Sequence, residues 1–139
     1  MAQNTVILPL FRVEKLDQNI DEYTTLIHII NISTNQTAKF AIKLVSRAGD
    51  ARYVLPTGDR TETGATTQTE YIDHELEPLQ SRLLDIDAEA YGLTTIGTGQ
   101  WGHAQIVDVI GSRTLIAFAS IKKGQYREFA VPINSGLPF

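Results

Sequence analysis

Nowhere in this chain do apolar residues recur with a helical period over the ten or so residues that a core helix needs, whereas alternating and β-branched runs recur along most of its length. That pattern admits one broad solution, sheet packed on sheet. The clearest run is 37–47, where Phe40, Ile42 and Leu44 alternate with Lys39 and Lys43, giving a strand with one face in a core. Just before it, 24–32 is β-branched almost throughout, with Leu26, Ile30 and Ile32 on one side and Ile27 and Ile29 on the other. A strand apolar on both faces is central or lies under a partner. The polar, turn-prone residues from Asn31 to Gln36 predict that these two strands join as a hairpin.

The rest of the chain is punctuated in the same way. Residues 5–13 read as a strand whose Pro9 cannot donate to a ladder, which admits an edge or a bulge there and is read as an edge. After the turn pair Gly49-Asp50, residues 52–55 form a short strand ended by Pro56, and 57–69 hold no large apolar residue, so they predict a long polar loop or projecting arm. Residues 79–86 read as a strand after Pro78, and 87–91 as one helical turn with Asp87 as N-cap and Gly92 beyond its end. A glycine-rich loop at 97–102 is expected to carry Trp101, the chain's one tryptophan. Finally 102–110, 113–121 and 125–133 predict a three-stranded meander joined at Gly111-Ser112 and Lys122-Lys123-Gly124. About eight strands in 139 residues predict a single-domain, all-β, antiparallel β-sandwich, Ig-like or jelly-roll-like, with one long polar loop.

Composition removes several function classes. With no cysteine, thiolate catalysis, Cys-ligated zinc and iron–sulfur sites are excluded. A formal charge of -4 gives no footing for nucleic acid. No apolar run approaches the roughly twenty residues of a membrane span. The first twelve residues lack the basic start and small-residue cleavage site of a secretory signal, which favours a cytoplasmic or virion-associated protein.

The order of features carries a likeness. LPLF at 8–11, TTLIHIINIS at 24–33, a strand alternating with lysines, and GHAQIVDVIGSRTLIAFASI at 102–121 together resemble bacterial Ig-like β-sandwich proteins of the sensory rhodopsin transducer type. The resemblance implies a sandwich, often oligomeric, that acts as an interaction module without cofactors. The threonine-rich stretch 57–69 departs from that pattern, so no binding residue is carried across.

Little in the sequence asks for chemistry. Of the three histidines, His28, His74 and His103, His28 lies among Ile27, Ile29 and Ile30 and reads as a structural histidine. Asp73-His74-Glu75 with Glu77 is the densest set of hard and imidazole ligands; it reads either as a cation site or as an acidic, solvated connection. No G-x-S-x-G elbow occurs, and Ser112 near His103 and Asp108 is a coincidence of a turn. Asp85 and Asp87 alternate and so share a face rather than span a cleft. Gly97 and Gly99 lack the strand–turn–helix setting of a phosphate loop. The sequons at Asn31 and Asn35 matter only in a secretory setting. Neither catalysis nor a metal nor a cofactor is expected.

What does stand out is surplus apolar surface. Ile27 and Ile29, Ile116 and Phe118, and Val107 and Val109 each oppose apolar neighbours, which predicts a second buried surface. Residues 70–89 are acidic, while Arg113, Lys122, Lys123 and Arg127 form a basic end. The expected interface therefore comprises Ile27, Ile29, Ile116, Phe118, Trp101, Arg113, Lys122, Lys123 and Arg127. The corresponding function is a non-enzymatic structural or assembly subunit of a homo-oligomer, such as a virion decoration or tail protein, or a surface-layer or filament subunit. A larger host protein surface is a further expected partner. The alternative is a ligand-binding or adaptor module, either binding carbohydrate through Trp101 or docking on a receptor as transducers do.

Overall fold

A computed structural model describes residues 4–17, 20–47, 49, 51–54, 65–66, 73–86, 99–124 and 127–139. Among these residues there are ten strands: β1 (Asn4–Asp17), β2 (Ile20–Asn31), β3 (Ala38–Ser46), β4 (Ala51–Val54), β5 (Ala65–Thr66), β6 (His74–Leu76), β7 (Ser81–Ile86), β8 (Gly99–Asp108), β9 (Leu115–Lys123) and β10 (Arg127–Pro132). A tight turn at Asn134–Gly136 follows. No helix in the described residues is long and apolar enough to cross a membrane.

The strands form one hydrogen-bonded ribbon that folds over on itself into a sandwich. Its order is β10-β9-β2-β1-β8-β3-β4-β5, with β7 added on β2 and β6 on β3, every pairing antiparallel. One edge of β2 holds β9; the other holds β1 only at Glu14–Asp17 and then β7 at Thr25–Ile30. From Glu14 back to Asn4, β1 pairs instead with β8. The first sheet is thus β10-β9-β2-β7, and the second is β1-β8-β3 with β4 and β6 sharing the far edge of β3.

A single side chain marks where β1 leaves β2. The Thr25 hydroxyl accepts the Arg12 N–H and donates to the Arg12 carbonyl, both at 2.9 Å, standing in for the ladder bonds that the divergence removes. Pro9 sits within the register shift between Leu8 and Phe11, on the strand that borders the second sheet, in keeping with the edge or bulge admitted there.

Between the sheets lies one continuous core. It takes Val6, Leu8, Phe11 and Val13 from β1, Ile27 and Ile29 from β2, Phe40, Ile42 and Leu44 from β3, Leu84 and Ile86 from β7, and Ala104, Ile106, Leu115, Ala117 and Ala119 from β8 and β9. The inward period on β3 is the one its sequence predicts.

Two expected hairpins are absent among the described pairings, and in each case a buried polar side chain shows why. Strands β2 and β3 do not pair; the segment between them crosses from one sheet to the other. At its start Asn31, fully buried, donates from Nδ2 to the carbonyls of Gln36, Leu76 and Glu77 at 2.8, 3.1 and 3.2 Å, and its Oδ1 accepts the Ser33 N–H at 3.1 Å. Likewise β8 does not pair with β9, so the meander reduces to β9–β10. The buried carboxylate of Asp108 accepts the N–H groups of Gly111 at 3.0 Å and Arg113 at 2.9 Å, folding the chain across with φ of 79° and 59° at those residues. Side-chain hydrogen bonds hold these crossings where a turn motif holds a hairpin.

Other boundaries also moved. Trp101 lies inside β8 rather than on a loop, because Gly102 lets β8 run against the backbone of Val45 and Ser46. Of the expected polar arm, Ala65–Thr66 pairs with Tyr53 and Val54. The remainder of 57–69 and the expected helical turn at 87–91 lie outside the described residues. Strand β6 falls where an acidic connection or cation site was read.

Candidate binding and assembly faces

His74 closes the question of the acidic segment. Its ring is fully buried and stacked on Phe40 at 4.8 Å. Nε2 lies 2.9 Å from the Val54 carbonyl, and Nδ1 lies 3.3 Å from Nη1 of Arg82. Nε2 therefore donates and Nδ1 accepts, a neutral tautomer tying β6 to β4 and β7. Burial, above all, lowers its pKa to about 4. Asp73, Glu75 and Glu77 are exposed around it, and among the described residues no group of three or more His, Asp or Glu is placed to hold a metal. Asp108 is committed to backbone N–H groups and the Ser112 hydroxyl to Thr114, so these two side chains serve the turn.

Two outward faces remain. On the first sheet, the outward row of β2 is Leu26, His28 and Ile30, the reverse of the expected side: Ile27 and Ile29 are fully buried in the core and offer nothing to a partner. The inward row of β2 also carries Thr25 and Asn31, whose polarity is met by the long-range bonds described above. On β9 the expected side is the outward one, with Phe118 50% exposed and Ile116 half-buried. The register sets Ile30 beside Ile116, and His28 between Phe118 and Leu83. His28 meets Phe118 edge to face, centroids 4.9 Å apart. Ile32, also exposed, prolongs the row, and Ala130 and Pro132 of β10 border it. At one end stands Leu79, exposed and held at φ 64° in the turn Glu77–Gln80. The left-handed conformation there is one that leucine rarely adopts.

The second face runs across the corner where the sheets join. Lys123 of β9, Tyr23 of β2, Arg12 of β1, Trp101 of β8 and Arg47 at the end of β3 come from five strands adjacent in that order. The Arg12 guanidinium carbon lies 3.8 Å above the Tyr23 ring, with Lys123 Nζ 5.6 Å from that ring; the Arg47 guanidinium lies 4.2 Å over Trp101. Arg12 and Trp101 are register partners, and the Arg47 N–H donates to the Trp101 carbonyl at 2.9 Å. Cations and rings alternate along the row. Sequence reading found Trp101 and Lys123 but missed Tyr23, Arg12 and Arg47, whose segments share nothing in sequence and meet through strand order alone.

Of the other basic residues, Lys122 and the backbone of Arg127 adjoin Lys123 at one end of β9 and β10, and Arg113 stands apart. Arg113 sits in the crossing loop between β8 and β9, Lys122 faces outward beside Thr24, and the Arg127 side chain lies outside the described residues although its backbone pairs with Lys123.

Comparison with known proteins adds fold alone. No family model and no curated protein matches the chain. Among solved structures it is similar to the crystal structure of Thermotoga maritima 1070, with a TM-score of 0.53 and 10% identity over 97% of this chain and 91% of that one.

Proposed function

We propose that this domain is a non-enzymatic structural subunit that assembles with copies of itself through the outward face of β10-β9-β2-β7, in a setting such as a virion, surface layer or filament. The observation that carries the reading is the cross-strand patch of Leu26, Ile30, Ile32, Leu83, Ile116 and Phe118, which the core does not use. At about 4.8 Å between strands and ~7 Å between like-facing residues, each position covers about 34 Å² and the six together about 200 Å². That is about a quarter of the roughly 800 Å² each partner gives to a stable interface, so the patch forms the dry centre of a wider, mostly polar contact. Thr24, Ser81, Ser120 and Lys122 supply a polar rim.

A second copy is the natural occupant because the patch complements itself. Phe118 and Leu83 flank His28 in one row, so a two-fold axis along β2 sets the ring of one copy on the leucine of the other. Phe118→Thr and Leu83→Thr keep strand-compatible residues at exposed positions; Phe118→Thr also removes the edge-to-face contact with His28. Each is expected to weaken association by about 10- to 100-fold in sedimentation equilibrium, with the unfolding midpoint of the monomer unchanged in Leu83→Thr and slightly lowered in Phe118→Thr. Unaltered association in the double variant would refute the assignment of this face.

A further inference from the structure

The row of cations and rings contains a cavity suited to a ligand. Leu10, Arg12 and Trp101 line a shallow pocket of about 310 Å³, at the lower end of the range for small-molecule sites. Leu10 and Trp101 are 41% and 40% exposed, so two apolar groups and one guanidinium face solvent together. Three cations among the described residues, Lys123, Arg12 and Arg47, stand along the row, and the Glu14 carboxylate pairs with Arg12 at 3.4 Å. Among the described residues no carboxylate pairs with Arg47. The row is therefore positive among the described residues, on a chain whose formal charge is -4.

The strand order makes the pocket rigid. Arg12 is pinned through its backbone by the Thr25 hydroxyl and through its side chain by Tyr23; Trp101 is pinned by Arg47 from above and by the β1 and β3 ladders at its sides. A guanidinium fixed beside an indole holds a planar anion well, because the carboxylate meets the N–H fork while a ring lies on apolar surface. The volume suits a molecule of about a dozen non-hydrogen atoms rather than a chain, and one ring face of Trp101 is already covered by Arg47. We propose that this pocket binds a small aromatic carboxylate, its carboxylate on Arg12 and its ring against Leu10 and the Trp101 indole that Arg47 holds in place.

Trp101 is the chain's one tryptophan, so its emission reports the pocket directly. Phenylacetate is the probe and phenylacetamide, of the same shape without the charge, is the comparison. Titration of the wild-type protein with phenylacetate is expected to change Trp101 emission saturably with a midpoint on the order of 1 mM, and phenylacetamide to bind at least about tenfold more weakly. Arg47→Gln, an exposed position, is expected to weaken phenylacetate by about threefold without moving the unfolding midpoint, and Arg12→Gln by about tenfold or more. The wild-type comparison of the two probes stands even if Arg12→Gln fails to fold. No saturable change up to about 50 mM phenylacetate, or equal responses to acid and amide, would overturn the proposal.

Discussion

Gly102→Ala is expected to destabilise the fold by about 3 kcal/mol or more and to shift the emission of Trp101. A methyl group on Gly102 would overlap the Val45 carbonyl oxygen and stand 2.9 Å from the Ser46 Cα. These are backbone atoms of β3, paired with β8 in the middle of the second sheet, so relief requires the ladder itself to part. Gly102 also faces Phe11, a fully buried core side chain, across β1. The disturbance reaches the aromatic row through the bond from the Arg47 N–H to the Trp101 carbonyl. Gly49→Ala is a suitable control: its φ of 91° disfavours alanine, but nothing lies within 4 Å, so a cost of only about 1 kcal/mol is expected. Urea unfolding of both variants checks the pair. A Gly102→Ala protein within about half a kcal/mol of wild type would show that β8 and β3 are not held this closely.

Acid is expected to destabilise the protein by about 3 kcal/mol between pH 6.5 and 4 through His74 alone. In the unfolded chain this histidine takes up a proton near its model value of 6.5; in the fold, burial holds its pKa at about 4. Above pH 6.5 it is neutral in both states and contributes no pH dependence. As pH falls below that value the unfolded chain gains a proton that the folded one refuses, and stability declines until the folded pKa is passed. The Arg82 guanidinium at Nδ1 acts in the same direction, since a protonated ring would lose its acceptor and meet a second positive charge. Urea midpoints at pH 7.5, 5.5 and 4.5 measure the decline. His74→Gln keeps a donor for the Val54 carbonyl and has no proton to gain, so its midpoint should fall much less over the same interval. Equal declines in the two proteins would contradict a neutral, buried His74.

The strands themselves were largely legible in the sequence, and their partners were not. Alternation in β3 named its core face, and Pro9 marked where the ladder of β1 is interrupted, though as a register shift in a strand that pairs with both β2 and β8 and not simply as an edge. Sheet membership depends on contacts that no window of sequence contains. Asn31 and Asp108 look like ordinary turn residues beside a hairpin; each instead satisfies backbone groups that carry the chain from one sheet to the other. The inward face of β2 is hidden in the sequence for a related reason. With apolar residues on both sides, composition favours neither, and the inward row contains Thr25 and Asn31, whose burial is tolerated only because Arg12, Gln36, Leu76 and Glu77 supply partners. The glycines that flank Trp101 point to a loop, yet one of them, Gly102, is needed for a close approach of strands. The aromatic row was invisible for the plainest reason, that its five members are brought together by the order β9-β2-β1-β8-β3.

The measurement that bears most directly on self-assembly is the mass of the protein in solution by light scattering across a range of concentrations up to roughly 100 μM, the region where an interface of this size associates. The account predicts a mass that rises from 15.4 kDa to at least its double, and that falls back in the Phe118→Thr/Leu83→Thr variant. A wild-type mass that stays at 15.4 kDa throughout would contradict it, and would leave the apolar face of β10-β9-β2-β7 without the partner assigned to it.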